Sequence, residues 1–127
     1  MLALSVRQPW AWRILAGLKV NEFRSWPTAH RGPLVIHASA STADLSEGWR
    51  ETILMPDGKT AGELLVLGAL IGVVDVIGCR WGSRAGYYAW RVANPRLLRA
   101  PIAMKGRLRL FELPTGVEAA VLAQLEE

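Results

Sequence analysis

The fold is decided in the first third of the chain, where two predicted strands enclose a helix that begins at a proline. The stretch reads Leu4-Ser5-Val6-Arg7-Gln8-Pro9-Trp10-Ala11-Trp12 and runs on to Ile36-His37-Ala38. Pro9 suits the first helical residue because its missing N–H would have no intrahelical partner there. Residues 4–38 hold three tryptophans, four arginines, a lysine, a glutamate and two histidines. Core packing does not require that mixture, whereas a pocket for a planar, polar, anionic ligand does.

The rest of the chain alternates predicted strands and helices. Strands are predicted at 2–6, 20–26, 33–38, 65–79, 87–92 and 104–111. The helix after Pro9 is predicted to bury Trp10, Ile14 and Leu18, and Gly17 marks its end. Ser41-Thr42-Ala43-Asp44 predicts the start of a second helix that would bury Leu45, Trp49 and Ile53, and a third carries Val117, Val121 and Leu125. This pattern predicts a mainly β fold, a closed or nearly closed barrel of five or six strands with about three helices. An open α/β sheet is the alternative, but the chain has no regular βαβ alternation and no glycine-rich phosphate loop.

Length and composition limit the class of protein. With 127 residues, the sequence predicts a single domain over 1–127. Cys79 is the one cysteine, and no segment looks like an export signal, so we expect a cytoplasmic protein. The apolar run 64–79 contains Asp75 and is shorter than the roughly 20 residues of a membrane-spanning helix. We therefore expect no membrane partner.

Positive charge is concentrated in the second half of the sequence. Twelve of the fifteen basic residues are arginine, and residues 76–111 contain eight basic residues and no Asp or Glu. The planar guanidinium suits phosphates and stacks on bases, so this distribution favours nucleic acid or nucleotides as ligands. A solvated arginine-rich surface is the alternative.

The chain resembles the ASCH domain family, which belongs to the PUA-like superfold. The resemblance rests on the opening stretch above and on Gly17-x-Lys19-x-x-Glu22-x-Arg24-Ser25-Trp26, Arg31-Gly32-Pro33-Leu34-Val35-Ile36-His37-Ala38, Gly72-Val73-Val74-Asp75, Tyr88-Ala89-Trp90, Asn94-Pro95-Arg96 and Pro101-Ile102-Ala103-Met104-Lys105-Gly106. It implies a β-barrel related to RNA-binding PUA domains and a cleft for RNA or a modified nucleoside.

Two branches of that family imply chemistry. One resembles amidohydrolases of an acylated cytidine, which use a lysine, a threonine three residues later and a strand carboxylate. These positions match Lys19, Glu22 and Asp75, but Glu22 stands where the threonine would be and offers no hydroxyl nucleophile. Another branch is similar to metal-dependent ribonucleases. The hydrolase hypothesis therefore assigns catalysis to Lys19, Glu22 and Asp75, and a buried ion network among the three is the structural alternative.

The binding hypothesis assigns a role to each candidate residue. Trp26 would stack a base, and Lys19 and Arg24 would hold anionic or carbonyl groups. Glu22 and Asp75 would accept from the base or orient the lysine. The predicted ligand-binding set is Ser5, Arg7, Gln8, Trp12, Lys19, Glu22, Arg24, Trp26, Arg31, Lys105 and Arg107. Trp10, Trp49, Trp90 and His37 are expected in the core. No cofactor and no tightly held metal are predicted.

The leading hypothesis is therefore that the protein binds single-stranded RNA or a modified nucleoside. The alternative is a hydrolase that acts on RNA or on an amide of a modified nucleoside. A third hypothesis is an interaction module that recognises a protein or an acidic partner, and it would require Trp26 to be exposed with no concave pocket beside it.

Overall fold

The computed structural model describes residues 1–52, 65–82 and 86–126. The described strands are β1 (Leu2–Val6), β2 (Asn21–Arg24), β3 (Gly32–Ala38), β4 (Ala69–Trp81), β5 (Tyr88–Ala103) and β6 (Leu110–Glu112). The described helices are α1 (Trp10–Leu15), α2 (Trp49–Thr52) and α3 (Thr115–Leu125). None of these helices has the length and apolar character needed to cross a membrane.

The strands form one sheet in the order β2-β5-β4-β3-β1-β6, which curls into a half-barrel. β1 and β3 run parallel, with Ser5 opposite His37, and the other paired strands are antiparallel. The predicted mainly β fold with three helices is confirmed. Because β2 and β6 are the two ends of the strand order, the barrel is open between them.

Both faces of the central strands are covered, which explains why β3 reads as a continuous apolar run. Leu4 and Leu34 belong to a buried cluster on the face covered by α1, whereas Ala3 and Val35 belong to the cluster that packs against α3. Adjacent residues of one strand point to opposite faces, so the two clusters lie on the two sides of the sheet.

The predicted buried face of α1 is wrong in part. Ile14 is buried as expected, but its buried companions are Ala11 and Leu15, and Trp10 and Leu18 are 39% and 56% exposed. Trp49 and Trp90 are buried in the core as expected. The helix ends before Gly17, whose φ is +77°, as the glycine signal predicted.

Two other predicted elements differ from the structure. The helix expected from Ser41 begins only at Trp49. Residues 41–45 form successive turns instead, in which the Ser41 hydroxyl and the Thr42 carbonyl accept from backbone N–H groups. Ile53 lies outside the described residues. The strand expected at 104–111 is only Leu110–Glu112. The segment 104–109 instead leaves the sheet, and Arg109 has a positive φ of 59° that a strand does not allow.

Candidate functional site

A large cleft opens where the ends of β1, β2 and β3 meet the segment 104–109. Its volume is about 1280 Å³. Six of the described residues that line it are cationic and two are acidic. The cations are Arg7, Lys19, Arg24, Lys105, Arg107 and Arg109, and the acids are Glu22 and Asp44. The cleft is therefore a concave site with an excess of positive charge, which attracts anions.

Glu22 organises one wall of the cleft. Its carboxylate is buried and accepts from Lys19 Nζ at 3.3 Å, from Arg24 Nη2 at 3.2 Å and from the Phe23 backbone N–H at 3.0 Å. Lys19 Nζ also donates to the Asn21 carbonyl, and Arg24 Nη2 donates to the Ser5 carbonyl at 2.8 Å. Three of roughly four acceptor positions of a carboxylate are thus occupied. The carboxylate therefore holds the two cations in place on this wall.

Trp26 lies beside this group and is only partly buried. The Trp90 ring packs nearly perpendicular to it, at 84° with the ring centroids 4.8 Å apart, and the Trp90 indole N–H donates to the Trp26 carbonyl at 3.2 Å. Arg109 Cζ lies 4.2 Å from the centroid of the Trp26 ring. A fully buried tryptophan therefore supports the ring, and a cation covers it within the cleft.

Ser5 and His37 fix the segment 104–109 to the sheet. His37 Nε2 lies 2.7 Å from the Met104 carbonyl, and Nδ1 lies 3.0 Å from the Ser5 hydroxyl. Because a carbonyl oxygen only accepts, Nε2 donates to Met104, while Nδ1 shares a hydrogen bond with the Ser5 hydroxyl. Gly106 packs so closely against the pair that a Cβ there would lie 2.8 Å from both residues.

Trp10, Asp44 and Arg7 form a second group of contacts in the cleft lining. The Trp10 indole N–H donates to Asp44 Oδ2 at 3.1 Å, and Arg7 Nη1 lies 3.6 Å from Asp44 Oδ1. The expectation that Trp10 belongs to the core is wrong, since its ring lines the cleft. No pattern in the sequence signals this position, because Asp44 follows 34 residues later and lies in an unpredicted turn.

The structure brings most of the predicted ligand-binding residues to the cleft. Those that line it are Ser5, Arg7, Lys19, Glu22, Arg24, Trp26, Lys105 and Arg107. Three others do not line it. Gln8 is buried, donates to the Val66 carbonyl and caps α1 by accepting from the Trp12 backbone N–H. Trp12 packs against the cluster around Trp49. Arg31 donates to the carbonyls of its own turn.

Asp75 does not join Lys19 and Glu22. It lies in the middle of β4, outside the cleft lining, where Asn94 Nδ2 and Arg96 Nη2 donate to its carboxylate at 3.0 and 2.7 Å. The Asn94 hydrogen bond and the pairing with Arg96 hold the pKa of Asp75 below its ordinary 3.8, although burial opposes them. The expectation that Lys19, Glu22 and Asp75 share one pocket is therefore wrong. Glu22 lies on β2 in the cleft, whereas Asp75 lies on β4 outside its lining.

The basic residues in the second half of the sequence also lie in separate parts of the structure. Only its last members reach the cleft, whereas Arg80 and Arg91 line a smaller cavity of about 430 Å³ between β4 and β5. Arg96 is paired with Asp75, and Arg84 lies outside the described residues. Across residues 1–52, 65–82 and 86–126, no three His, Cys, Asp or Glu side chains gather as metal ligands would.

The chain is similar to known proteins in sequence and in fold. The ASCH domain family model matches residues 4–100. Human activating signal cointegrator 1 is 42% identical over 81 residues, and the mouse protein of that name is 40% identical over 81; each match covers 60% of this chain and 14% of the relative. The crystal structure of ASCH from Zymomonas mobilis has a TM-score of 0.63 at 12% identity, covering 96% of this chain and 93% of that one. A mutant of the same protein gives 0.64 at 12% identity and 96% coverage of both chains.

Proposed function

Because this chain belongs to the ASCH domain family, we propose that it uses its cationic cleft to bind single-stranded RNA or a modified nucleoside of such a strand. The observation that carries the proposal is the position of Trp26 in that cleft. The ring is supported by Trp90, is reached from the cleft, and lies among cations that are held in place by Glu22. An aromatic platform within a positive groove is the usual arrangement in proteins that bind single strands.

The arrangement favours a single strand over a duplex. A base can stack on an aromatic side chain only when it is free of its own neighbours, which is the condition of an unpaired strand. Arg109 covers the Trp26 ring in this structure. We expect the base to replace the guanidinium over the ring, which leaves Arg109 free to pair with a phosphate.

Catalysis by Lys19, Glu22 and Asp75 has less support. Asp75 lies outside the cleft with partners of its own, and the Lys19 amine is already engaged by Glu22 and the Asn21 carbonyl. The arrangement of these residues therefore supports ligand binding better than it supports hydrolysis.

The proposal is tested by titrating a fluorescently labelled single-stranded RNA with the wild-type protein and with two variants. Trp26→Ala should weaken binding by about 1–3 kcal/mol, since this is what a stacked base contributes. Trp81→Ala is the matched control, because Trp81 is 60% exposed and lies outside the cleft lining. It should bind as the wild type does, and Trp26→Phe should restore most of the affinity.

Two competitors and one product assay complete the test. Duplex RNA should compete poorly, and DNA of the same sequence shows whether the ribose matters. Mass spectrometry of the bound strand and of acylated nucleosides should recover them intact. Equal affinity of the Trp26→Ala and Trp81→Ala variants would refute the proposal, and released fragments would replace binding with hydrolysis as the function of the cleft.

A further inference from the structure

Trp10 is a large apolar side chain that the fold leaves open to the cleft. It is 39% exposed although it is the first residue of α1, and it lines the same cleft as the Glu22 group. The buried residues of α1 are Ala11, Ile14 and Leu15. The helix therefore does not need Trp10 to attach to the sheet.

The Trp10 ring is nevertheless held in one orientation. Its indole N–H donates to Asp44, which also pairs with Arg7. Among the described residues no cation and no aromatic ring lies over its face, in contrast to Trp26, which carries Arg109. A partly exposed, oriented indole that shares Asp44 with a guanidinium has the chemistry that stacks a base and holds its phosphate.

The size of the cleft leaves room for a second base. Its volume of about 1280 Å³ exceeds the roughly 300–1,000 Å³ that is typical of a site for one small molecule. A nucleoside on Trp26 would therefore leave part of this volume unfilled. Ser39, Ser41 and Lys105 also line the cleft and add hydroxyl and ammonium donors for a phosphate.

We propose that Trp10 is a second stacking platform, so that the cleft binds a short stretch of one RNA strand with one base on Trp26 and another on Trp10. Arg7 contacts the backbone beside Trp10. The inference rests on the proposed function and deepens it: the ligand is an oligonucleotide segment, not an isolated nucleoside. Asp44 acts as a positioning residue that fixes both the indole and the guanidinium.

The test measures affinity for oligouridylates of increasing length, from the mononucleotide upward. Wild-type affinity should rise until the strand spans both rings and then level off. Trp10→Ala should bind the shortest strands as the wild type does, but its affinity should level off earlier and end about 10-fold weaker. Trp26→Ala should weaken binding at every length, and the Trp81→Ala control should follow the wild type.

A second variant separates stacking from folding. Trp10→Phe keeps an aromatic face and loses the hydrogen bond to Asp44, so it should recover most of the lost affinity. Identical length profiles for the wild type and Trp10→Ala would overturn the inference while leaving the proposed function intact. Failure of Trp26→Ala to weaken binding at any length would overturn the proposed function, and the inference with it.

Discussion

At the scale of single residues, one buried carboxylate determines what the cleft offers a ligand. Glu22 holds Lys19 and Arg24 on either side and accepts a backbone N–H as well. A flexible lysine and arginine lose much conformational freedom when they bind an anion. Because Glu22 and nearby carbonyl oxygens already restrict both side chains, part of that entropic cost is met in the free protein.

Arg109 is expected to affect charged and neutral ligands in opposite directions. Its guanidinium covers the Trp26 ring, so Arg109→Ala exposes the platform and removes a positive charge. A neutral nucleoside should then bind more tightly, because it no longer has to displace a cation. A single-stranded RNA should bind more weakly, because one phosphate contact is lost.

Calorimetric titration of both ligands checks this prediction. Arg91→Ala is the control, since Arg91 is exposed and lies outside the cleft lining. If Arg109→Ala weakened both ligands alike, Arg109 would be part of the binding surface and not a cover for the ring.

The sequence identified Trp26, Lys19, Glu22 and Arg24 for a physical reason. They occur within eight residues on one short strand and its flanks, so no long-range prediction is needed to bring them together. The positions of Trp10 and Asp75, in contrast, depend on packing between segments that are distant in the sequence. Periodicity placed Trp10 on a buried helix face, but smaller neighbours on α1 already fill the contact with the sheet.

At the scale of elements, the segment 104–109 forms one side of the cleft without being a strand. Two contacts hold it: the Met104 carbonyl accepts from His37, and Gly106 packs on the His37 ring and the Ser5 hydroxyl. Alternating basic and apolar residues predicted a strand here. The prediction failed because these contacts join residues far apart in the sequence, and periodicity does not reveal them. β5 runs well beyond the predicted 87–92 because it pairs with β4 along its length, whereas β4 begins and ends later than the predicted 65–79.

Gly106→Ala should destabilise the protein and disturb the cleft. The added Cβ would lie 2.8 Å from His37, which is buried and bonded at both ring nitrogens, so the segment itself must move. The expected cost is about 1–3 kcal/mol, as for other overpacked sites, together with weaker RNA binding. Urea denaturation and RNA titration measure the two effects.

Gly116→Ala is the matched control, because a Cβ at Gly116 meets nothing within 4 Å. Gly116 is the second residue of α3, and Gly116→Ala should stabilise the protein by roughly 0.4–1 kcal/mol because the unfolded chain loses conformational freedom. Wild-type stability and affinity in Gly106→Ala would show that the segment is not fixed as the contacts indicate.

Asp75 links β4 to β5, and its contribution to stability should depend on pH. Its pKa is lowered in the folded protein, chiefly by the Asn94 hydrogen bond. A lowered pKa means that the stabilisation is complete above the unfolded value of 3.8 and is lost as pH falls through the folded value. Between neutral pH and about pH 2, Asp75→Asn should therefore lose less unfolding free energy than the wild type.

Urea denaturation across that range tests the prediction, with the exposed Glu112→Gln as control. RNA affinity of Asp75→Asn at neutral pH should equal that of the wild type, because Asp75 lies outside the cleft lining. If the unfolding free energies of Asp75→Asn and the wild type fell in parallel with pH, the role of the Asn94 and Arg96 contacts would be contradicted. A loss of RNA affinity in Asp75→Asn would place Asp75 in the binding site.

At the scale of the whole molecule, the net charge of +4 is less informative than its distribution. Lys105 and Arg107 line the cleft and have no ion-pair partner among the described residues. Arg80 and Arg91 lie at a different cavity. The sequence showed that the second half is basic, but it could not show that only its last part reaches the cleft, because that depends on how β4 and β5 pair.

The salt dependence of RNA binding should therefore follow the cleft residues alone. Each phosphate contact with a single strand contributes about 0.7 to the slope of log affinity against log salt concentration. Replacing Lys105 and Arg107 together by glutamine should reduce the slope by about 1.4. Replacing Arg80 and Arg91 by glutamine should leave it unchanged, and equal reductions in both double variants would show binding spread over the surface.

NMR spectroscopy of the tryptophan indole N–H groups can show whether RNA occupies the cleft that Trp26 and Trp10 line. The chain has six tryptophans, and each gives a separate signal that can be assigned by substitution. On addition of a single-stranded oligouridylate, we expect saturable shifts of the Trp26 and Trp10 signals, while those of Trp49 and Trp81 stay in place. Shifts confined to Trp81, or unchanged Trp26 and Trp10 signals at saturating RNA, would contradict binding in the cleft.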